Sequence, residues 1–385
     1  MNIVWLTGVH SGLSAIVGAM FMSIRPHFLI HGYASEHDFA IIDTIYSAFS
    51  LAPVCLLCVL GTYYKLKIKH IQLYIIAFAI ATLLAFAFII LFAIHDTHLL
   101  FIMAALVGTF NWAESYFLLF LYVESLTVEK TFWLWSLFNI VGAIIGRYVF
   151  LPFIIVWNTD GCAYALFTLM LLYCILFVLY LLTTIPNTCT YTNPNTTTNI
   201  RKHSCKYALI LCICLLTTGA DDAFNSWQGA YYIEAFNTSD TISLIMCLIS
   251  DIGQILGVFL FQQLHVRFDP SIVAAAACVF TVAGFISFSF TSFVINIILA
   301  IALKCILIGI ENSVYLNILR CTQEVGNAFI VLYFASLQFN FIVSSVPFVA
   351  LFDAENVQWL FFYISLSVYE FVSLFLIIYI FLIIR

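Results

Sequence analysis

The sequence predicts an all-α polytopic membrane protein, and three observations lead to that fold class. Of its 385 residues, 64% are hydrophobic and only 8% are charged, whereas a typical soluble protein is about 25% charged. Apolar runs recur along the whole chain, each close to the ~20 residues that a helix needs to cross a bilayer. One long polar stretch divides these runs into two nearly equal sets.

The same composition excludes several classes of protein. There is too little polar surface for a soluble or disordered chain, and most of the 12 cysteines sit inside apolar runs, unlike those of a secreted disulfide scaffold. The net charge of −6 provides no basic surface for nucleic acid. The lipid bilayer is therefore the predicted environment of the chain.

We predict twelve transmembrane helices, six on each side of the polar stretch. The first six lie near residues 3–24, 39–63, 71–94, 99–122, 131–157 and 161–183. The second six lie near residues 206–234, 241–263, 271–292, 294–317, 325–350 and 357–384. The weakest boundary separates the ninth span from the tenth, where Ser289, Thr291 and Ser292 form the polar break.

The domain organisation follows from this division. Residues 1–183 form a predicted N-terminal six-helix bundle and residues 206–385 a C-terminal six-helix bundle. Residues 184–205 between them are rich in Asn, Thr and Pro and cannot bury a core, so we predict a cytosolic linker. Two six-helix halves joined in this way are typical of the major facilitator fold, whose substrate site lies at the midplane between the halves.

The positive charges predict the orientation of the spans, since cytoplasmic loops are enriched in Lys and Arg. With both termini in the cytosol, ten of the thirteen basic residues face inward, and Arg25 alone faces outward. Asn237, which begins an Asn-Thr-Ser sequence, then faces the exterior or a lumen and is a candidate for glycosylation. This topology suits a plasma membrane, an endosomal membrane or the endoplasmic reticulum.

Ionisable and amide side chains within the spans are the candidate functional residues, because each charge costs about 2.5–3.5 kcal/mol at the centre of a helix. The predicted set for a central cavity that exchanges protons is Glu114, Arg147, Asp221, Asp222, Asn225, Lys304 and Glu311. A structural interpretation stays open, in which Arg147 neutralises Glu114 and Lys304 neutralises Asp221 or Asp222. Other polar groups within spans are Gln228 in the seventh, Asp251 and Gln254 on one face of the eighth, and Glu370 in the twelfth.

Short motifs in both halves give the chain a family resemblance. They are Ile45–Pro53, Gly108 through Trp112 to Tyr116, Glu124-Ser125, Phe132-Trp133, Gly142, Gly146, Gly219–Phe224, Gly309, Glu311-Asn312, Ala328-Phe329 and Tyr333. These residues resemble the uncoordinated-93-like family, a divergent branch of the major facilitator superfamily. Three positions depart from the family pattern: no Asn accompanies Glu124, Arg147 replaces an Asn, and Glu311 replaces an Asp.

The resemblance implies a regulatory or trafficking subunit of a partner channel or receptor. The loop Gly61–Lys69 favours this interpretation, because it lacks the acidic residue that transporters of this fold usually carry there. The alternative is a proton-coupled symporter of a small polar solute, with Glu311 and Lys304 two turns apart on one helix face. No pore-lining repeat supports a channel. No enzyme motif is present, and we predict no catalytic residue, cofactor or metal site.

Overall fold

The computed structural model describes residues 36–52, 128–149, 204–325 and 359–383, together with isolated positions at 12, 15, 98, 101–102, 104–106, 108–109 and 175. Every regular element within these residues is helical. The chain divides into two compact units, Met1–Pro194 and Asn195–Arg385.

Two helices are described in the N-terminal unit. Helix α1 spans Glu36–Phe49, and α2 spans Val128–Ile144 and continues as a π-helical turn over Ile145–Val149. Glycines permit close packing at both, because a Cβ on Gly108 would strike the backbone of Tyr46 in α1, and one on Gly142 in α2 would strike the backbone of Gly12. Small residues at helix contacts are a usual device of membrane proteins.

Five long helices are described in the C-terminal unit. They are α3 (Ser204–Phe236), α4 (Asp240–Arg267), α5 (Pro270–Phe288), α6 (Phe293–Val325) and α7 (Trp359–Ile377), and a π-helical turn, Ile378–Ile383, follows the last. Each is long and apolar enough to cross a membrane. They correspond to the seventh, eighth, ninth, tenth and twelfth predicted spans, and the predicted break at residues 289–292 is confirmed.

Polar residues set the ends of these helices. Ser239 caps α4 by accepting a hydrogen bond from the backbone N–H of Ile242 (3.4 Å). Asp269 caps α5 by accepting from the N–H of Ser271 (2.9 Å), and Pro270 occupies the first helical position. Helix α6 runs eight residues beyond the predicted end at 317, because its polar last turns stay helical outside the apolar span.

Helices α4 and α6 approach each other closely. Gly253 and Gly257, spaced four apart on α4, lie against the backbone of α6 at Ile301 and Cys305. In return Gly309 of α6 accommodates the ring of Phe261. A Gly-x-x-x-Gly spacing lets two membrane helices pack backbone to backbone, so this contact fixes which polar side chains of the two helices meet.

An aromatic core joins α3, α5 and α7. Phe224 of α3 packs edge-on against Phe285 and Phe288 of α5, with ring centroids 5.4 and 5.3 Å apart. Tyr363 of α7 is fully buried beside them, 4.8 Å from the Phe288 ring. Large apolar side chains such as Phe280 point outward and are exposed, as expected of helices that face lipid.

Candidate functional site

The predicted site residues fall in both units of the chain. Glu114 lies outside the described residues, and Arg147 occupies the π-helical turn after α2, where its backbone position is described. Asp221, Asp222 and Asn225 belong to α3, and Lys304 and Glu311 to α6. These last five residues place the candidate site in the C-terminal unit.

Lys304 forms a buried ion pair with Asp251. The Lys304 side chain is 1% exposed, and its Nζ donates to Oδ1 of Asp251 on α4. The structural interpretation that pairs Lys304 with Asp221 or Asp222 is therefore wrong, because the close glycine contact between α4 and α6 brings Asp251 to Lys304. Asp251 is a polar residue of the predicted eighth span, and the predicted site does not include it.

The amide side chains of α3 link that helix to α4. Gln228 is fully buried, donates through Nε2 to the hydroxyl of Tyr232 (2.9 Å) and accepts from the hydroxyl of Ser250 on α4 (3.1 Å). One turn before Gln228 on α3, Oδ1 of Asn225 accepts a hydrogen bond from Nε2 of Gln254 on α4 (3.4 Å). These bonds satisfy polar groups in an apolar region and align the two helices.

The remaining acids form a group that spans α3, α6 and α7. Glu311 of α6 is partly exposed. A negative charge on it would be repelled by the carboxylates of Asp221 and Asp222 on α3 and of Glu370 on α7. Asp221 also acts on Glu370. We call Asp221, Asp222, Glu311 and Glu370 the acidic group. The predicted site contained three of these four residues, and it omitted Glu370.

The chemistry open to the acidic group is the binding of protons. Like charges in a low-dielectric region repel one another, and a carboxyl group loses its charge when it binds a proton. Among the described side chains of this unit, the buried cation is Lys304, and it forms its ion pair with Asp251. Among the described residues, no group of three or more His, Cys, Asp or Glu side chains is arranged to hold a metal ion.

Asn237 lies in the short connection between α3 and α4. It is exposed and has a φ of 51°, a left-handed conformation that Asn adopts more readily than most residues. The hydroxyl of the next residue, Thr238, donates to the carbonyl of Tyr232 (2.9 Å). Glycosylation of Asn237 stays a prediction.

Comparison with known proteins assigns the architecture. No protein-family model and no curated protein matches the sequence. Solved structures do match: a variant of the nucleoside transporter NupG has a TM-score of 0.68 and 14% sequence identity, over 99% of this chain and 100% of that one. This chain has the major facilitator fold.

Two further structures agree with this assignment. FucP, a major facilitator superfamily transporter solved in the outward conformation, has a TM-score of 0.68 and 13% identity, over 99% of each chain. A variant of FucP, the fucose:proton symporter of E. coli, has a TM-score of 0.67 and 13% identity, over 98% of each chain. The protein is thus a multi-pass membrane protein, as predicted, while the resemblance to the uncoordinated-93-like family rests on the sequence motifs alone.

Proposed function

We propose that this protein is a proton-coupled carrier of a small polar solute. The observation that carries the proposal is the acidic group: three carboxyl groups, on α3 and α7, act electrostatically on Glu311 of α6, and the buried Lys304 is paired with Asp251. Each carboxyl group that stays uncharged must hold a proton, so movement of the helices that changes their separation takes up or releases protons.

The structural neighbours favour transport over regulation. The solved structures that resemble the chain include a nucleoside transporter and a fucose:proton symporter, and they align over nearly its full length. A monosaccharide or a nucleoside is therefore the first solute class to test. The sequence motifs favour regulation or trafficking of a partner channel or receptor, but nothing in the described part of the structure favours it.

Glu311 is the proposed coupling residue. It is partly exposed, whereas Glu370 is completely buried, so Glu311 is the more accessible of these two carboxyl groups. Lys304 and Asp251 are assigned the structural task of joining α4 to α6.

The test is uptake by the purified protein in proteoliposomes under an imposed pH gradient. A panel of labelled monosaccharides and nucleosides is offered to the wild type, to Glu311→Gln and to Glu234→Gln, whose exposed carboxylate lies at the end of α3. We expect the wild type and Glu234→Gln to accumulate at least one solute and Glu311→Gln to lose accumulation. Equal uptake by Glu311→Gln would remove it from the mechanism.

The regulatory alternative has its own observable. If the wild type transports nothing in this panel, the tagged protein is isolated from native membranes in a mild detergent and its stoichiometry is measured by mass spectrometry. A channel or receptor recovered at about one to one would contradict the carrier proposal.

A further inference from the structure

Helix α7 carries a line of buried polar side chains along one face. Tyr363, Ser367, Glu370 and Ser373 are each at most 4% exposed, and their spacing of three to four residues places them on the same side of the helix. Ser367 and Ser373 donate to carbonyls of their own helix, at Tyr363 and Tyr369 (both 2.9 Å). The two serines are thus satisfied without a ligand.

Glu370 is different. It is 0% exposed, and within the part of the chain that the structure describes neither carboxyl oxygen has a hydrogen-bond partner of normal geometry. The Cys278 thiol of α5 lies against it, but a thiol is a weak donor. A carboxylate buried in this way is costly unless a cation or strong donors compensate it.

The titratable groups around Glu370 come from three other helices. They are Cys278 of α5, Asp221 of α3 and Glu311 of α6. All are acids, and among the described residues no cation acts on Glu370. Since ionisation of Glu311 opposes ionisation of Glu370, the two carboxyl groups compete for protons.

We propose that Glu370 is a second proton-binding residue, which stores a proton inside the C-terminal unit and exchanges it with Glu311. The exchange is balanced: the proton leaves one carboxyl group as the other, ionised carboxylate accepts it, directly or through water. This inference rests on the proposed carrier function, because an exchange of protons has use only where protons drive transport.

The first arm of the test measures protonation without any solute. Infrared difference spectra of the purified full-length protein are recorded across a pH titration for the wild type, Glu370→Gln and Glu234→Gln. Glutamine has the shape of the protonated acid, so the variant should fold. We expect Glu370→Gln to lose one carboxylic-acid C=O band that the wild type and Glu234→Gln retain. An unchanged band pattern would overturn the proposal.

The second arm measures transport with the solute identified in the uptake screen. We expect Glu370→Gln to lose proton-driven accumulation and to retain exchange of labelled for unlabelled solute without a gradient. Wild-type accumulation in Glu370→Gln would overturn the exchange with Glu311 while leaving the carrier function standing. If the wild type itself accumulates nothing, the carrier function fails, and the infrared arm still decides whether Glu370 binds a proton.

Discussion

The ion pair between Lys304 and Asp251 should be a main source of stability at the contact between α4 and α6. Both side chains are at most 2% exposed, and two glycines bring the helix backbones together beside them. Substitution of Lys304 by Met leaves the Asp251 carboxyl buried without its cation. Removal of one partner of a buried pair costs about 3–5 kcal/mol, and a single charge at the centre of a membrane helix costs about 2.5–3.5 kcal/mol.

We therefore expect Lys304→Met to destabilise the protein by about 3 kcal/mol, where the two ranges overlap. For a unit of this size, that corresponds to a decrease in Tm of roughly 6–12 °C. Asp251→Leu should have a similar effect, since it leaves the Lys304 ammonium buried alone. The double variant, Lys304→Met with Asp251→Leu, should lie closer to the wild type than either single variant, because no uncompensated charge remains.

The assay is thermal unfolding of the purified protein in detergent, followed by tryptophan fluorescence. Arg267→Met is the matched control, since this exposed cation at the end of α4 should change stability by only about 0.5 kcal/mol. If the two single effects add up in the double variant, the side chains do not interact, and the assignment of the pair as structural is refuted.

Three further predictions concern the same unit and its surface. Gly257→Ala should destabilise the protein by about 1–3 kcal/mol, because the new Cβ would press against the backbone of α6, and thermal unfolding measures the loss. Gln228→Leu should cost about 1–3 kcal/mol in the same assay, since it removes the donor to the buried Tyr232 hydroxyl and leaves the Ser250 hydroxyl only its bond to the Cys247 carbonyl. Asn237→Gln should abolish a glycosidase-sensitive shift in electrophoretic mobility of protein from eukaryotic cells.

Each of these predictions has a control or a contradicting result. Gly229→Ala is the match for Gly257→Ala, because its Cβ would meet nothing closer than the Ser243 hydroxyl at 3.4 Å, an ordinary contact. Equal stability of the two glycine variants would contradict the close approach of α4 and α6. A Gln228→Leu protein as stable as the wild type would show that the amide bonds do not align α3 with α4. If glycosidase does not change the mobility of the wild type, Asn237 is not glycosylated.

The sequence was sufficient to predict the fold class, because hydropathy reports membrane crossings directly. It placed the break between α5 and α6 correctly from a few hydroxyl side chains, and the structure has α5 end at Phe288 and α6 begin at Phe293. It placed the end of α6 eight residues too early, since a hydropathy pattern records where the apolar span ends and not where the hydrogen-bonded helix ends.

The contacts between helices were the part that the sequence did not reveal. A spacing of seven residues places Lys304 and Glu311 on one face of α6, but it does not say which neighbouring helix each one meets. Lys304 contacts α4, whereas Glu311 interacts electrostatically with carboxyl groups of α3 and α7. The Gly253-x-x-x-Gly257 spacing was a usable signal for the first contact. No signal of this kind links Glu370 to Cys278, 92 positions apart in the printed sequence.

The most direct test of the central claim is the ratio of protons to solute taken up in the same proteoliposomes. A pH-sensitive dye trapped inside reports the protons while a label reports the solute identified in the uptake screen. We expect solute entry to bring protons with it in a fixed ratio, and we expect Glu311→Gln to carry solute without protons or not at all. Solute entry with no proton movement in the wild type would contradict proton coupling by the acidic group.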